Sequence, residues 1–547
     1  MNRGLVPPRL PRTALLALLA AAAGAAGAQV PATAPSAHRN TPPMASAKPA
    51  AVFPIRGFRI EGDNPLPPAD AQRLLAPFVR PDATIETLQQ ATAALETELR
   101  QRGYGLHRVA LPPQEVGETV RLDIVKFTIG RVAIEGAQIH GEGNIRRTLP
   151  ELREGESPNF KALAIQTAIA NENPNKQVQV GLRESEEPDR IDATINVKEQ
   201  RPWTLGATWS NAGSDSTGND RLTVSGGHTN LFDRDHQFVA AYTTSLEEAD
   251  DVRQLGLAYK VPLYAQGAVI GASFTRSDVV GNFGSFTSTG AGHTFGLNYT
   301  KYLAPQGGRR SYVTVGIEDK LFDAARINDI VVPGALDRRS RPLVAGYTAR
   351  TETDTAVWGY NVDLAWNTGS GDHNDLDAYR SEDPRITTVH WKAVRGFASY
   401  TAPLDDGWLW TARGAFQWSP DVLISGEQFG LGGLGSVRGT EIERPVSGDS
   451  GLTGTLEVMT PELAPGLRLL GFADVGTLRN HAANGLGRPR SDTLASVGVG
   501  LRFQRGAFNA SADYGRLVNG SRIPASVNSA SPQEGDERFY VSVGVQF

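Results

Sequence analysis

The sequence predicts two small α+β domains in tandem followed by a transmembrane antiparallel β-barrel, about 16 strands at roughly 20 residues per strand and connection. Three observations carry this. A unit of about 75 residues occurs twice near the N-terminus. Alternating apolar and polar positions then persist over roughly 350 residues with almost no helical periodicity. The chain also ends on an alternating strand whose last residue, Phe547, is aromatic.

Residues 1–28 read as a secretory signal peptide. Arg3, Arg9 and Arg12 precede an apolar run from Ala14 to Ala23, and Ala26-Gly27-Ala28 forms a small-residue cleavage site. The run is too short and too Ala-rich for a spanning helix. Residues 29–52, rich in Ala, Pro, Ser and Thr, are expected to be a linker.

The first domain is expected over 53–126 and the second over 127–200. Phe58-Arg59-Ile60-Glu61-Gly62 and Val132-Ala133-Ile134-Glu135-Gly136 each open a unit with a strand and a glycine turn. In the first, Leu88, Ala91, Leu95 and Leu99 share one helix face, Gly103 stops that helix, and Val120, Leu122 and Ile124 alternate in a closing strand. In the second, Ser157-Pro158 reads as an N-cap and a first-turn proline for a helix through Leu163, Ile165 and Ile169. Two alternating strands follow, one with Val178, Val180 and Leu182 and one with Ile191, Ala193, Ile195 and Val197.

The barrel is expected over 201–547. Its strands alternate as in Trp358, Tyr360, Val362, Leu364 and Trp366, or Leu255, Leu257, Tyr259 and Val261, or Val497, Val499, Leu501 and Phe503. A soluble β-sandwich also alternates. The unbroken run, the aromatic residues near strand ends (Tyr400, Trp408, Trp410, Trp418) and the final strand favour a membrane barrel, whose closure leaves no edge in lipid. In that strand Phe539, Val541, Val543, Val545 and Phe547 share one face, as in the insertion signal of outer-membrane barrels.

The chain has no cysteine, so no disulfide staples it, and its net charge of −5 has no basic stripe, which argues against a nucleic-acid partner. Nine histidines show no metal-ligand spacing. No catalytic constellation is apparent, so neither enzyme activity nor a cofactor or metal is expected. Gly430, Gly432 and Gly435 match a dinucleotide fingerprint by spacing, but Gly439, Pro445, Gly448 and Gly451 forbid the helix that such a site needs.

From about Phe53 onward the chain resembles the TpsB outer-membrane transporters of two-partner secretion, the haemolysin and filamentous-adhesin exporter group of the Omp85 superfamily. The two repeats are similar to that family's two POTRA domains, with Gly103-Tyr104 before a strand and Leu111-Pro112-Pro113-Gln114 after it. Gly432-Gly433, Ser436-Val437-Arg438-Gly439 and Val446-Ser447-Gly448-Asp449-Ser450-Gly451 are similar to its sixth extracellular loop. Phe472-Ala473-Asp474-Val475-Gly476 is similar to its motif on a nearby barrel strand. Thr440 stands where the family usually has an aromatic residue, and no amphipathic helix lies between Gln29 and Val52 to act as a plug.

The resemblance implies that the loop 430–451, with Val437, Arg438 and Gly439, folds into the lumen and that Arg438 meets Asp474 on the wall, flanked by Phe472 and Gly476. On the residues alone, Arg438 could instead be a solvated loop arginine. The resemblance further implies a monomer in the outer membrane of a Gram-negative bacterium, its POTRA domains in the periplasm. The implied partner is a large secreted exoprotein (adhesin, haemolysin or toxin) with an N-terminal secretion domain, taken up unfolded along an edge near Val178, Val180 and Leu182. Other expected partners are outer-membrane lipid and the barrel-assembly machinery. Two rivals remain at this point: an Omp85-type factor that inserts other barrels, which usually carries more POTRA units, and a passive diffusion porin.

Overall fold

The computed structural model describes residues 52–547 except 116, 216 and 328–329. The expected signal peptide, nearly all of the expected linker and the question of a plug helix therefore lie outside the described residues.

The first unit comprises β1 (Gly57–Gly62), α1 (Pro68–Leu75), α2 (Ile85–Gln101), β2 (His107–Ala110) and β3 (Thr119–Lys126). Its sheet order is β1-β3-β2, with β1 parallel to β3. Thr84 and Thr87 form a reciprocal cap at the start of α2, and Gly103 turns the chain away at φ +100°. Leu88, Ala91, Leu95 and Leu99 bury that helix's apolar face against Val120, Leu122 and Ile124.

The second unit repeats the order: β4 (Thr128–Glu135), α3 (Glu142–Thr148), α4 (Phe160–Asn171), β5 (Lys176–Glu184) and β6 (Arg190–Glu199). The sheet runs β4-β6-β5, which leaves β5 at an edge. One expectation is corrected here. Ser157 and Pro158 do not start α4; Asn159 caps it, accepting the amides of Lys161 and Ala162, and its Nδ2 donates to the Arg102 carbonyl at 3.0 Å. That contact with the first unit fixes the helix start two residues downstream of the local signal.

The wall of the barrel begins with β7 (Trp203–Ser210), β8 (Arg221–Leu231), β9 (His236–Thr244), β10 (Gln254–Leu263), β11 (Ala268–Ser277), β12 (Gly292–Tyr302) and β13 (Arg309–Phe322). It continues with β14 (Arg338–Glu352, interrupted at Arg341), β15 (Val357–Asn367), β16 (Lys392–Pro403) and β17 (Leu409–Trp418). The last five are β18 (Ser450–Met459), β19 (Leu467–Arg479), β20 (Ser491–Arg505), β21 (Phe508–Asn519) and β22 (Glu537–Gln546). These 16 antiparallel strands close on themselves. Sequence neighbours pair along the whole wall, and β22 returns to β7.

That last pairing is short. Five positions pair, from Ser210↔Ser542 to Gly206↔Gln546, against 13 between β19 and β20. Phe547 and Leu205 extend the seam by exchanging two backbone hydrogen bonds, at 2.8 and 3.1 Å. Along the outer face Leu255, Leu297, Val315, Leu364 and Val499 are exposed, as a lipid-facing band requires.

Candidate functional site

Between β17 and β18 the chain leaves the wall and enters the lumen. Phe429–Leu431 and Val446–Gly448 pair as a small hairpin, and Gly432 (φ +101°) and Gly433 (φ +90°) provide the left-handed turn beyond it. Leu431, Val437 and Val446 pack on Leu478, Leu494 and Leu517, which point inward from β19, β20 and β21. Gly476 makes this approach feasible, because a Cβ there would lie 2.4 Å from Leu431 Cδ2.

Arg438 is 3% exposed and forks onto Asp474, with Nε to Oδ2 at 2.8 Å and Nη2 to Oδ1 at 2.9 Å. Its Nη1 donates to Glu457 at 2.9 Å, its own amide reaches Asp474 at 3.2 Å, and its guanidinium lies 3.3 Å from the centre of the Phe472 ring. A planar fork is suited to this site, since a lysine could not satisfy two carboxylates and stack at once. Charge is balanced around it: Arg413 holds Glu457 at 2.7 Å and Arg502 holds Asp513 at 2.9 Å, so three cations face three carboxylates.

Further anchors lie elsewhere around the loop. Tyr540, inward from β22, accepts the Gly439 amide at 3.0 Å and donates to the Thr440 carbonyl at 2.7 Å. Thr440 is buried; its hydroxyl accepts the Gly433 amide and donates to the Ile442 carbonyl. Near the base of the loop, Glu427 meets Lys320 of β13 at 3.3 Å and Arg395 of β16 at 2.7 Å. Since β13 and β21 lie on opposite sides of the closed wall, the loop crosses the lumen. A second segment folds inward as well: the hairpin Gly281–Phe283 with Phe286–Ser288 seats Phe283 and Phe286 against Ala241.

Sequence reasoning named Val437, Arg438, Gly439, Phe472, Asp474 and Gly476, and the fold brings these six together. It missed Glu427, Glu457, Asp513 and Tyr540. Their one signal is parity: Glu457 and Tyr540 alternate with outward apolar residues such as Leu456 and Phe539, which puts them on the inward face.

The edge near Val178 is open over only part of its length. The Val178 side chain lies in the core of the second unit, and its outward amide and carbonyl are both taken by the Asn171 side chain, at 2.7 and 3.1 Å. Antiparallel alternation then leaves the backbone of Val180 and Leu182 on the open side of β5. On β22, Phe539 and Phe547 are exposed, and Val541, Val543 and Val545 share the parity of Phe539.

A model of the haemolysin secretion/activation protein family ShlB/FhaC/HecB matches residues 190–503, more than half of the chain. The chain belongs to that family. The ShlB-type POTRA domain matches residues 53–126 of this ShlB/FhaC/HecB member. The outer membrane transporter CdiB of Escherichia coli is 24% identical over 505 residues, covering 88% of this chain and 82% of the relative. CdiB of Dickeya dadantii is 25% identical over 414 residues, covering 73% and 71%. Solved structures of CdiB share the fold: that from Escherichia coli superposes with a TM-score of 0.70 at 20% identity over 93% of each chain. That from Acinetobacter baumannii gives 0.68 at 17% identity, covering 93% and 94%. This ShlB/FhaC/HecB protein is thus a TpsB-type outer-membrane transporter of two-partner secretion with a periplasmic POTRA region and a dedicated exoprotein partner, not a barrel insertase or a porin.

Proposed function

We propose that the transporter moves one large exoprotein in unfolded form, and that the lumenal loop seated by Arg438 is the element that yields for its passage. The observation that carries this is the buried Arg438–Asp474 fork, which holds a loop across the path that the client must take. The second unit acts as a second POTRA domain, and the backbone of Val180 and Leu182 receives an extended segment of the client by strand addition. The client is an adhesin, haemolysin or toxin with an N-terminal secretion domain, and its folding outside the cell drives transit. The outer row of β22, from Phe539 to Phe547, is the face read by the assembly machinery when the barrel inserts as a monomer.

The test is export of the exoprotein encoded beside this chain, in cells carrying wild type, Arg438→Ala or a deletion, with insertion followed by heat-modifiable mobility. Loss of export with normal insertion in Arg438→Ala is expected. Undiminished export in that variant would remove the loop from the mechanism.

A further inference from the structure

The second unit is joined to the barrel by a buried polar contact that the transport reading does not use. Lys176 opens β5 and is fully buried, and its Nζ meets Asp235 Oδ2 at 2.5 Å in the turn between β8 and β9. Asn144 and Thr148 of α3 each accept from the same ammonium at 2.9 Å. Asp235 is completed from both sides, by Asn144 Nδ2 at 3.1 Å and by the hydroxyl of Tyr264, in the turn between β10 and β11, at 2.7 Å.

The packing around this pair is continuous. Tyr264, from a barrel turn, and Tyr302, at the end of β12, belong to the same apolar core as Ile145, Leu163 and Ile169 of the second unit. Tyr302 also hydrogen-bonds Glu172 at the end of α4. Burial draws Lys176 below the ordinary lysine range. For Asp235 burial acts the other way, but the charge of Lys176 and the bonds from Lys176, Tyr264 and Asn144 outweigh it and hold the carboxyl below its ordinary range.

A buried ion pair holds two surfaces less strongly than well-packed apolar residues would, while loss of one partner is severe. Such a pair is therefore better suited to fixing one register than to adding adhesion. Its place in the chain suggests what is being registered: Lys176 begins the strand whose open edge starts at Val180.

We propose that Lys176 is a positioning residue for export. It seats the second unit on the barrel turns in a single orientation, so that the open edge of β5 hands its client to the lumen from a fixed place, and the unit stays seated throughout the cycle. This rests on the strand-addition reading of that edge.

The cysteine-free chain allows a direct test. A Cβ at Gly267 would lie 3.8 Å from Ile165 Cβ, within the span of a disulfide, so Ile165→Cys with Gly267→Cys can tether α4 to the barrel turn. Lys176→Met should lower export about tenfold or more with heat-modifiable insertion unchanged. In the Lys176→Met background the oxidised tether should restore export to within about twofold of the tethered wild type, and reduction should abolish the rescue. Three results would overturn the proposal: normal export by Lys176→Met, loss of insertion without rescue, or arrest of otherwise wild-type export by the oxidised tether with release on reduction. Leu182→Pro separates the two readings, because it removes an outward N–H from the edge strand. Normal export by Leu182→Pro, alongside tether rescue of Lys176→Met, would sink strand addition and uphold the seat.

Discussion

Replacing Arg438 by alanine tests how much the lumenal loop depends on one side chain. The substitution removes the two-pronged contact with Asp474, the bond to Glu457 and the stacking on Phe472. Glu457 keeps Arg413 and Asp513 keeps Arg502, so Asp474 is the group left uncompensated; its remaining side-chain partner is the Ser496 hydroxyl at 3.3 Å. Breaking a buried pair costs about 3–5 kcal/mol, and the retained partners place this case near 3 kcal/mol, a change of roughly a hundredfold in the ratio of seated to released loop. Arg438→Lys keeps the charge but not the fork, so about 1–2 kcal/mol is lost. The readout is amide hydrogen exchange of the purified barrel at Gly433, Arg438 and Gly439, whose N–H groups donate to Thr440, Asp474 and Tyr540. Exchange should accelerate at all three in the order lysine, then alanine. Unchanged protection in the alanine variant would show that apolar packing alone seats the loop, and the reasoning from charge would fail.

Tyr540→Phe deletes two hydrogen bonds to the loop backbone and should loosen Gly439 by about 1–2 kcal/mol, with the Arg438 amide less affected; equal acceleration at both would contradict separate anchors. Gly476→Val suits a strand but drives a side chain into Leu431, so the barrel should insert normally while loop seating weakens by about 1–3 kcal/mol and pore conductance rises; a closed, wild-type conductance would speak against the close approach. Docking of the second unit through Asp235, and the closure of its own turn at residues 138–140 by Glu199, should also depend on pH. Burial acts against ionisation of both Asp235 and Glu199. For Asp235 the charge and bonds of Lys176, with Tyr264, prevail; for Glu199 the amides of Ile139, Gln138 and His140 do, so both carboxyls sit below their ordinary values of 3.8 and 4.5. Their contribution is complete above those values and is lost as pH falls through and below them. Protease nicking of α3 should therefore be alike at pH 7 and 5 and rise near pH 3; loosening already at pH 5 would assign the contact to other groups.

Much of this architecture is written locally. Period-two alternation encodes each barrel strand without reference to its neighbours, and the Gly-rich loop stands out because few other architectures require it. What escaped reading depends on register. Glu457, Asp513 and Tyr540 sit in ordinary strands, and only the pairing of β18 with β19 and of β21 with β22 turns them toward Arg438 and Gly439. The hairpin around Phe283 and Phe286 has no local signal beyond two aromatic residues in a polar loop. The start of α4 shows local and tertiary signals in competition: Ser157-Pro158 has cap chemistry, yet Asn159 both caps the helix and reaches the first unit, so it prevails.

The short seam between β7 and β22 bears on how the barrel forms. Every other wall pairing joins strands that follow one another in the chain, so each can form as a local hairpin, whereas the Asn211–Val541 contact spans 330 residues. Its closure entropy must be met before its few bonds are gained, and contacts of high sequence separation form slowly. The order of assembly follows: a curled, open sheet of consecutive hairpins comes first, and circularisation is the last and rate-limiting event. Circular permutation that opens the chain at an outer loop and covalently joins Phe547 to the start of β7 would make this junction local, and the permuted barrel should close faster than the natural one.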